Sequence, residues 1–210
     1  AFCGVNIIGI GGQNYKTFLS LIKNFNIKWF VFSDGEDKTI RTVRKAIRDV
    51  FGVEMQTLSN VIVLDNGEDY EWHLINSGYE EEMVQAICEH EGEPEFVNKY
   101  INTRNHTSAG RERTDQPECP TCHQAIYRDI IRDYSGDEGY RQAIYDCCTS
   151  KQAKAKYATI VAERIVSIED DTRKIPPKVA ELLEKMQSIM SGEGRPEIET
   201  IEETATDSQS

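Results

Sequence analysis

The stretch Trp29-Phe30-Val31-Phe32-Ser33-Asp34-Gly35-Glu36-Asp37 decides how this chain is read. An apolar run, Trp29 to Phe32, gives way at once to the carboxylates Asp34, Glu36 and Asp37. In open parallel sheets ligands sit in the crevice outside the carboxyl ends of the strands, so a strand that ends in acids predicts a metal or phosphate-handling site. Side chains alternate along a strand, so Asp34 and Glu36 project the same way if the extended conformation persists through Gly35. Two such carboxylates repel unless a hard cation lies between them, and Mg²⁺ takes one or two carboxylates with water and phosphate oxygens. A plainer reading stands beside this one: Asp-Gly is a common turn pair, and Asp34 or Asp37 can cap a helix starting near Lys38.

The flanking sequence extends the pattern. Val5 to Ile10 reads as a buried strand and Gly9, Gly11 and Gly12 as a tight turn. Tyr15, Phe18, Leu19, Ile22 and Phe25 recur at helical spacing before the strand Lys28 to Ser33. A second helix, Thr39 to Phe51, carries Ile40, Val43, Ile47 and Val50 on one face, with Lys38, Arg41, Arg44, Lys45 and Arg48 around the rest. A third strand, Asn60 to Asp65, again runs from apolar residues into an acid, and a helix over Trp72 to Ser77 follows. Strands separated by helices predict an α/β fold with a parallel sheet and right-handed crossovers.

These residues resemble the Toprim domain of the OLD (overcoming lysogenization defect) nucleases, including the nuclease of Gabija-type antiphage systems. The resemblance rests on Val5-Asn6-Ile7-Ile8-Gly9-Ile10-Gly11-Gly12, on Trp29 through Glu36, and on Val61 to Leu64 leading to Tyr70-Glu71. Lys154-Ala155-Lys156-Tyr157-Ala158 and Ile175-Pro176-Pro177 add to it, so that it covers roughly residues 5 to 190. It implies an α/β Toprim-like parallel sheet flanked by helices, and a DNA endonuclease dependent on Mg²⁺ or Mn²⁺. Asp34, Glu36 and Glu71 would be the metal ligands, and Lys154 would join Asp34 and Glu36 as a catalytic residue, with Glu36 standing where the family has the second Asp of Asp-x-Asp. The resemblance further implies DNA as substrate, an ATPase domain on the N-terminal side of the same protein, a homo-oligomer and, in a Gabija-like system, a helicase partner. The family's glycine-flanked glutamate on a first strand should precede Ala1. The chain is therefore expected to be a C-terminal piece of a longer protein, inactive alone.

The chemistry explains why such residue types are needed. Two metal ions roughly 4 Å apart can generate the attacking hydroxide and neutralise the leaving oxygen of a phosphodiester. A lysine supplies fixed positive charge to the transition state. On a helix over Lys151 to Ile168, Lys154 falls in line with Ala158, Val161 and Ile165, so its stem would follow the buried face; Lys151 and Lys156 are substitutes, and a surface lysine is the ordinary alternative. Two other readings remain: a dinucleotide-binding Rossmann unit, for which Gly9-x-Gly11-x-x-Asn14 lacks the third glycine, and a noncatalytic module that keeps the fold and scaffolds an assembly.

Cys119-Pro120-Thr121-Cys122-His123 is a knuckle-like Cys-x-x-Cys. Structural zinc held by Cys119 and Cys122 with Cys147 or Cys148 and His123 is one reading, if a helical hairpin assembles them. Reduced thiols in a reducing cytoplasm are the other, with Cys3 and Cys88 as core residues. The expected organisation is a Toprim core over 1–78, a helical insertion over 79–150, C-terminal helices over 151–190 that complete the core, and an acidic disordered tail over 191–210. Within the insertion, Asn102 to Glu118 reads as a polar loop and Ala125 to Tyr134 as a helix paired with Tyr140 to Cys148.

At 210 residues with 39% hydrophobic content the chain is long enough to bury a core. No run approaches the ~20 apolar residues of a membrane span, and a cytoplasmic protein is expected. The net charge of −12 argues against strong unaided affinity for DNA. Much of it sits at the end of the chain, where Glu193, Glu197, Glu199, Glu202, Glu203 and Asp207 face Arg195 alone.

Overall fold

The computed structural model describes residues 5–10, 14–116, 118–150 and 156–191. They form a mixed α/β protein with two compact units, Ala1–Tyr70 with Pro177–Ser210, and Glu71–Pro176. Among the described residues, no helix is long and apolar enough to cross a membrane.

The first unit follows the hydrophobic pattern. Helix α1 (Tyr15–Asn24) leads to strand β1 (Val31–Ser33), helix α2 (Asp37–Phe51), a 3₁₀ turn at Met55–Thr57 and strand β2 (Val61–Val63). β1 and β2 pair in parallel, Val31 opposite Val61 and Ser33 opposite Val63. The ladder continues at both ends, where the Val31 amide donates to Asn60 O (2.9 Å) and the Leu64 amide to Ser33 O (3.0 Å). Tyr15, Leu19, Val31, Val43, Ala46 and Ile47 form a buried cluster, with Trp29 stacked on Phe51 at its margin. The Tyr15 hydroxyl meets Ser33 Oγ at 2.9 Å, which gives both buried polar groups a partner.

The second unit is built mainly from helices. Its helices are α3 (Tyr70–Asn76), which begins at the unit boundary, α4 (Glu80–Glu91), α5 (Phe96–Arg104), then, beyond strands β3 (Ser108–Arg113) and β4 (Tyr127–Ile131), α6 (Gly136–Thr149) and α7 (Ala158–Val166). A 3₁₀ turn at Asp171–Arg173 precedes α8 (Pro177–Ser191), which belongs to the first unit. Met83, Ala86, Ile87, Val97, Ala143 and Ile144 are buried, and Trp72 stacks on Tyr145 at 4.8 Å. Gly139 lets α6 close on the chain before it, because a Cβ there would lie 2.3 Å from the Tyr134 carbonyl carbon. α8 starts at Pro177, where a missing amide costs a helix nothing. It packs on β2, with Ile189 buried and Leu183 exposed.

Several expectations are corrected. Val5 to Ile10 forms no strand, and Ile7 is 97% exposed. An apolar run becomes a strand only where a neighbouring edge takes up its backbone groups, and none of the described strands pairs with it. The parallel sheet therefore has two described strands rather than three. The polar loop expected over Asn102 to Glu118 contains β3, and the helix expected over Ala125 to Tyr134 contains β4; together they make an antiparallel hairpin. Its register sets Arg111 opposite Asp129 and Glu112 opposite Arg128, so opposite charges rather than apolar periodicity mark the pairing. α7, expected to complete the sheet domain, packs on α4 in the second unit. The acidic tail lies outside the described residues beyond Ser191, as do Cys3, Gly11 and Gly12.

Candidate functional site

The carboxyl ends of β1 and β2 are drawn together by main-chain atoms. After Ser33 the chain passes through Asp34 to Gly35, whose amide donates to Glu68 O at 2.7 Å. A Cβ at Gly35 would sit 2.2 Å from Leu64 O and 3.2 Å from Asp65 O, so any side chain here forces the strand ends apart. The Glu68 carbonyl is presented by a tight turn in which Asn66 (φ 54°) and Gly67 (φ 76°) are both left-handed and the Glu68 amide donates to Asp65 O at 3.0 Å. Two successive left-handed residues with this bond are the geometry for which Asn-Gly is favoured. The acids on either side, Asp34 and Glu36 after β1, Asp65 and Glu68 after β2, therefore leave one edge of the sheet.

Asp34 is half-buried and Glu36 exposed. The capping alternative is corrected in detail: Glu36, in extended conformation (φ −61°, ψ 137°), occupies the N-cap position of α2 and makes no side-chain capping bond. Asp37 lies inside the first turn, where its charge favours the positive end of the helix dipole. Neither Asp34 nor Asp37 is the N-cap residue.

A lysine stands at this edge that the sequence reading passed over. Lys178, on the first turn of α8, places its Nζ 3.1 Å from Asp65 Oδ2 and 2.9 Å from Glu181 Oε2. Lys185 Nζ holds the other Glu181 oxygen at 2.7 Å. Burial works to lower the Lys178 pKa, yet the bonds to Glu181 and Asp65 outweigh it and raise the group above the ordinary lysine value, so it stays charged. The bonds from Lys185 and Lys178 hold the Glu181 carboxyl below the usual range. The signal for Lys178 was present in Pro176-Pro177-Lys178, a helix start that follows the sheet.

The expected site residues divide as follows. Asp34 and Glu36 belong to the first unit and Glu71, on the first turn of α3, to the second. Lys154 and Lys151 lie outside the described residues. Lys156 is paired with Glu91. Among the described residues, no three His, Cys, Asp or Glu side chains converge as a metal-holding group. The donors at the strand ends are nevertheless all hard oxygens, and Mg²⁺ is satisfied by one or two carboxylates with water and phosphate oxygens. Asp34 and Glu36 are donors of that type.

The four cysteines of the zinc reading fall on two separate elements. Cys119 and Cys122 lie in the β3–β4 connection, whereas Cys147 and Cys148 are buried on α6, and burial pushes the Cys147 thiol up to about 12. On the α2 face, Arg48 pairs with Glu54 at 2.8 Å and Arg41 Nε donates to Asp37 O, the behaviour of a solvated helix face.

No protein-family model, curated protein or solved structure matches the chain. The reading of the site rests on its residues.

Proposed function

We propose that this chain is the Toprim-like part of a divalent-metal-dependent DNA endonuclease of the OLD type, Gabija-like in its antiphage role. The observation that carries the reading is the backbone closure at Gly35, which brings the acids that end two parallel strands to one sheet edge beside the half-buried Lys178. Mg²⁺ or Mn²⁺, when bound, supplies the Lewis acid and activated water for in-line phosphodiester hydrolysis. Asp34 and Glu36 would hold it, and Glu71 stays only as the choice the family resemblance implies for a third ligand. Lys178 offsets the charge of Asp65 and Glu181, which lowers the repulsion that an acidic edge exerts on a polyanion. Lys154 remains the family-based choice for the cation at the scissile phosphate, and an ATPase domain of the same protein is the proposed partner in full length.

Plasmid cleavage by the full-length protein in Mg²⁺ and in Mn²⁺ tests this. Metal-dependent nicking or cutting that disappears in Asp34→Ala, with folding intact, is the expected result; cleavage unchanged by that substitution overturns the assignment. A second reading is a noncatalytic Toprim-fold module in a larger assembly. It predicts no cleavage by any variant while assembly persists. The dinucleotide-binding alternative has no strand ahead of α1 among the described residues, and bound NAD(H) would be the result that favours it.

A further inference from the structure

The Cys-x-x-Cys turn sits in the connection between β3 and β4. The Cys119 amide donates to Gln124 O at 2.7 Å and the His123 amide to Cys119 O at 2.9 Å, which closes the turn on itself. His123 takes a left-handed backbone (φ 58°) directly after the second cysteine. A loop closed by main-chain bonds that turns left-handed after its second cysteine holds two sulfurs within four residues of each other, the short spacing from which thiolates ligate one soft ion.

Two thiolates are half of a tetrahedral set. The second unit offers no further pair among its described residues. Cys147 and Cys148 are buried on α6. The Cys88 sulfur is bonded to Pro94 O at 3.2 Å. His123 is turned toward Glu118, with Nδ1 4.0 Å from its Oε2. Cys122 is exposed, and every residue of β4 and all but one of β3 is exposed as well, so this connection is open to another molecule of the same shape.

We infer that the Cys119–Cys122 turn is a half-site for Zn²⁺, completed by the same turn of a second copy to give a four-cysteine centre that joins two chains. The inference is independent of the nuclease reading. Each copy contributes Cys119 Sγ and Cys122 Sγ as thiolates, and their two protons are released to solvent as the ion binds.

The test is zinc titration of the full chain under reducing conditions, followed by sedimentation and by Co²⁺ substitution. The expected result is one ion per two chains, a doubling of mass that chelator reverses, and the intense thiolate-to-cobalt absorption of a tetrahedral sulfur site. Cys119→Ser and Cys122→Ser, both in an open turn, should each abolish ion binding and dimer, while Cys148→Ser leaves them intact. One ion per monomer, a dimer indifferent to zinc, binding lost in Cys148→Ser with the fold preserved, or no zinc uptake would each overturn the inference.

Discussion

The two strand pairs of this protein are made by opposite means. β1 and β2 are short, parallel and apolar, with Val31 and Ile62 buried, and their ends are locked by main-chain contact at Gly35. β3 and β4 are longer, antiparallel and exposed, and they are joined by the pairs Arg111–Asp129 and Arg128–Glu112. An isolated two-stranded hairpin is marginal in water. This one is tethered at its root, where the Tyr134 amide donates to Asn105 Oδ1 at 2.9 Å and the Tyr134 hydroxyl donates to Asp146 Oδ2 at 2.6 Å. The contrast teaches that the first pair is fixed by what it buries and the second by where it is anchored.

The strongest way to break the contrast is Gly35→Ala. The added carbon has nowhere to go against the Leu64 carbonyl, so a loss on the order of 4 kcal/mol is expected in urea denaturation. Ser108→Ala on the hairpin should fall within about 0.5 kcal/mol of wild type. A comparable loss in both would erase the distinction. Next in size, Ile62→Ala should cost about 3 kcal/mol by cavity formation, against less than about 0.5 kcal/mol for the exposed Ile130→Ala.

Tyr134→Phe probes the anchor. Losing the bond to Asp146 should cost about 1 kcal/mol and speed amide exchange along β3 and β4 while leaving β1 unchanged. Acid titration probes the other pair through α8. The Glu181 carboxyl lies lower in the folded chain than in the unfolded one. Its stabilising contribution is therefore complete above the ordinary carboxylate range and is lost as pH falls through the depressed folded value. Glu181→Gln should flatten that acid limb in a pH series of melting curves. A small effect, about 0.5 kcal/mol and shrinking with added salt, is expected for Arg128→Ala, since Arg128 and Glu112 are an exposed pair.

The same contrast explains what the sequence made legible. α1 and α2 were readable because Tyr15, Leu19, Val43 and Ile47 recur at helical spacing and are buried. β1 and β2 were readable as apolar runs that end in acids. The hairpin was not, because its strands carry charge on exposed faces, and its pairing is visible only once Arg111 is known to face Asp129. Val5 to Ile10 misled for the converse reason, being apolar without a partner edge among the described strands. At the site, Asp34 and Glu36 were legible from position alone. Lys178 was not, because its meaning depends on α8 returning to β2 from more than a hundred residues away. Gly35 read as a spacer between acids, whereas its role is set by Leu64, a residue distant in the chain.

The closure at Gly35 has a consequence for how such a protein can change over generations. Glycine and carbonyl groups hold the strand ends together, with no carboxylate among the atoms in closest approach. Substitutions at the exposed Glu36, which makes no side-chain capping bond, can therefore accumulate without opening the sheet, whereas position 35 is closed to them. Drift at Gly35 would register first in the scaffold itself.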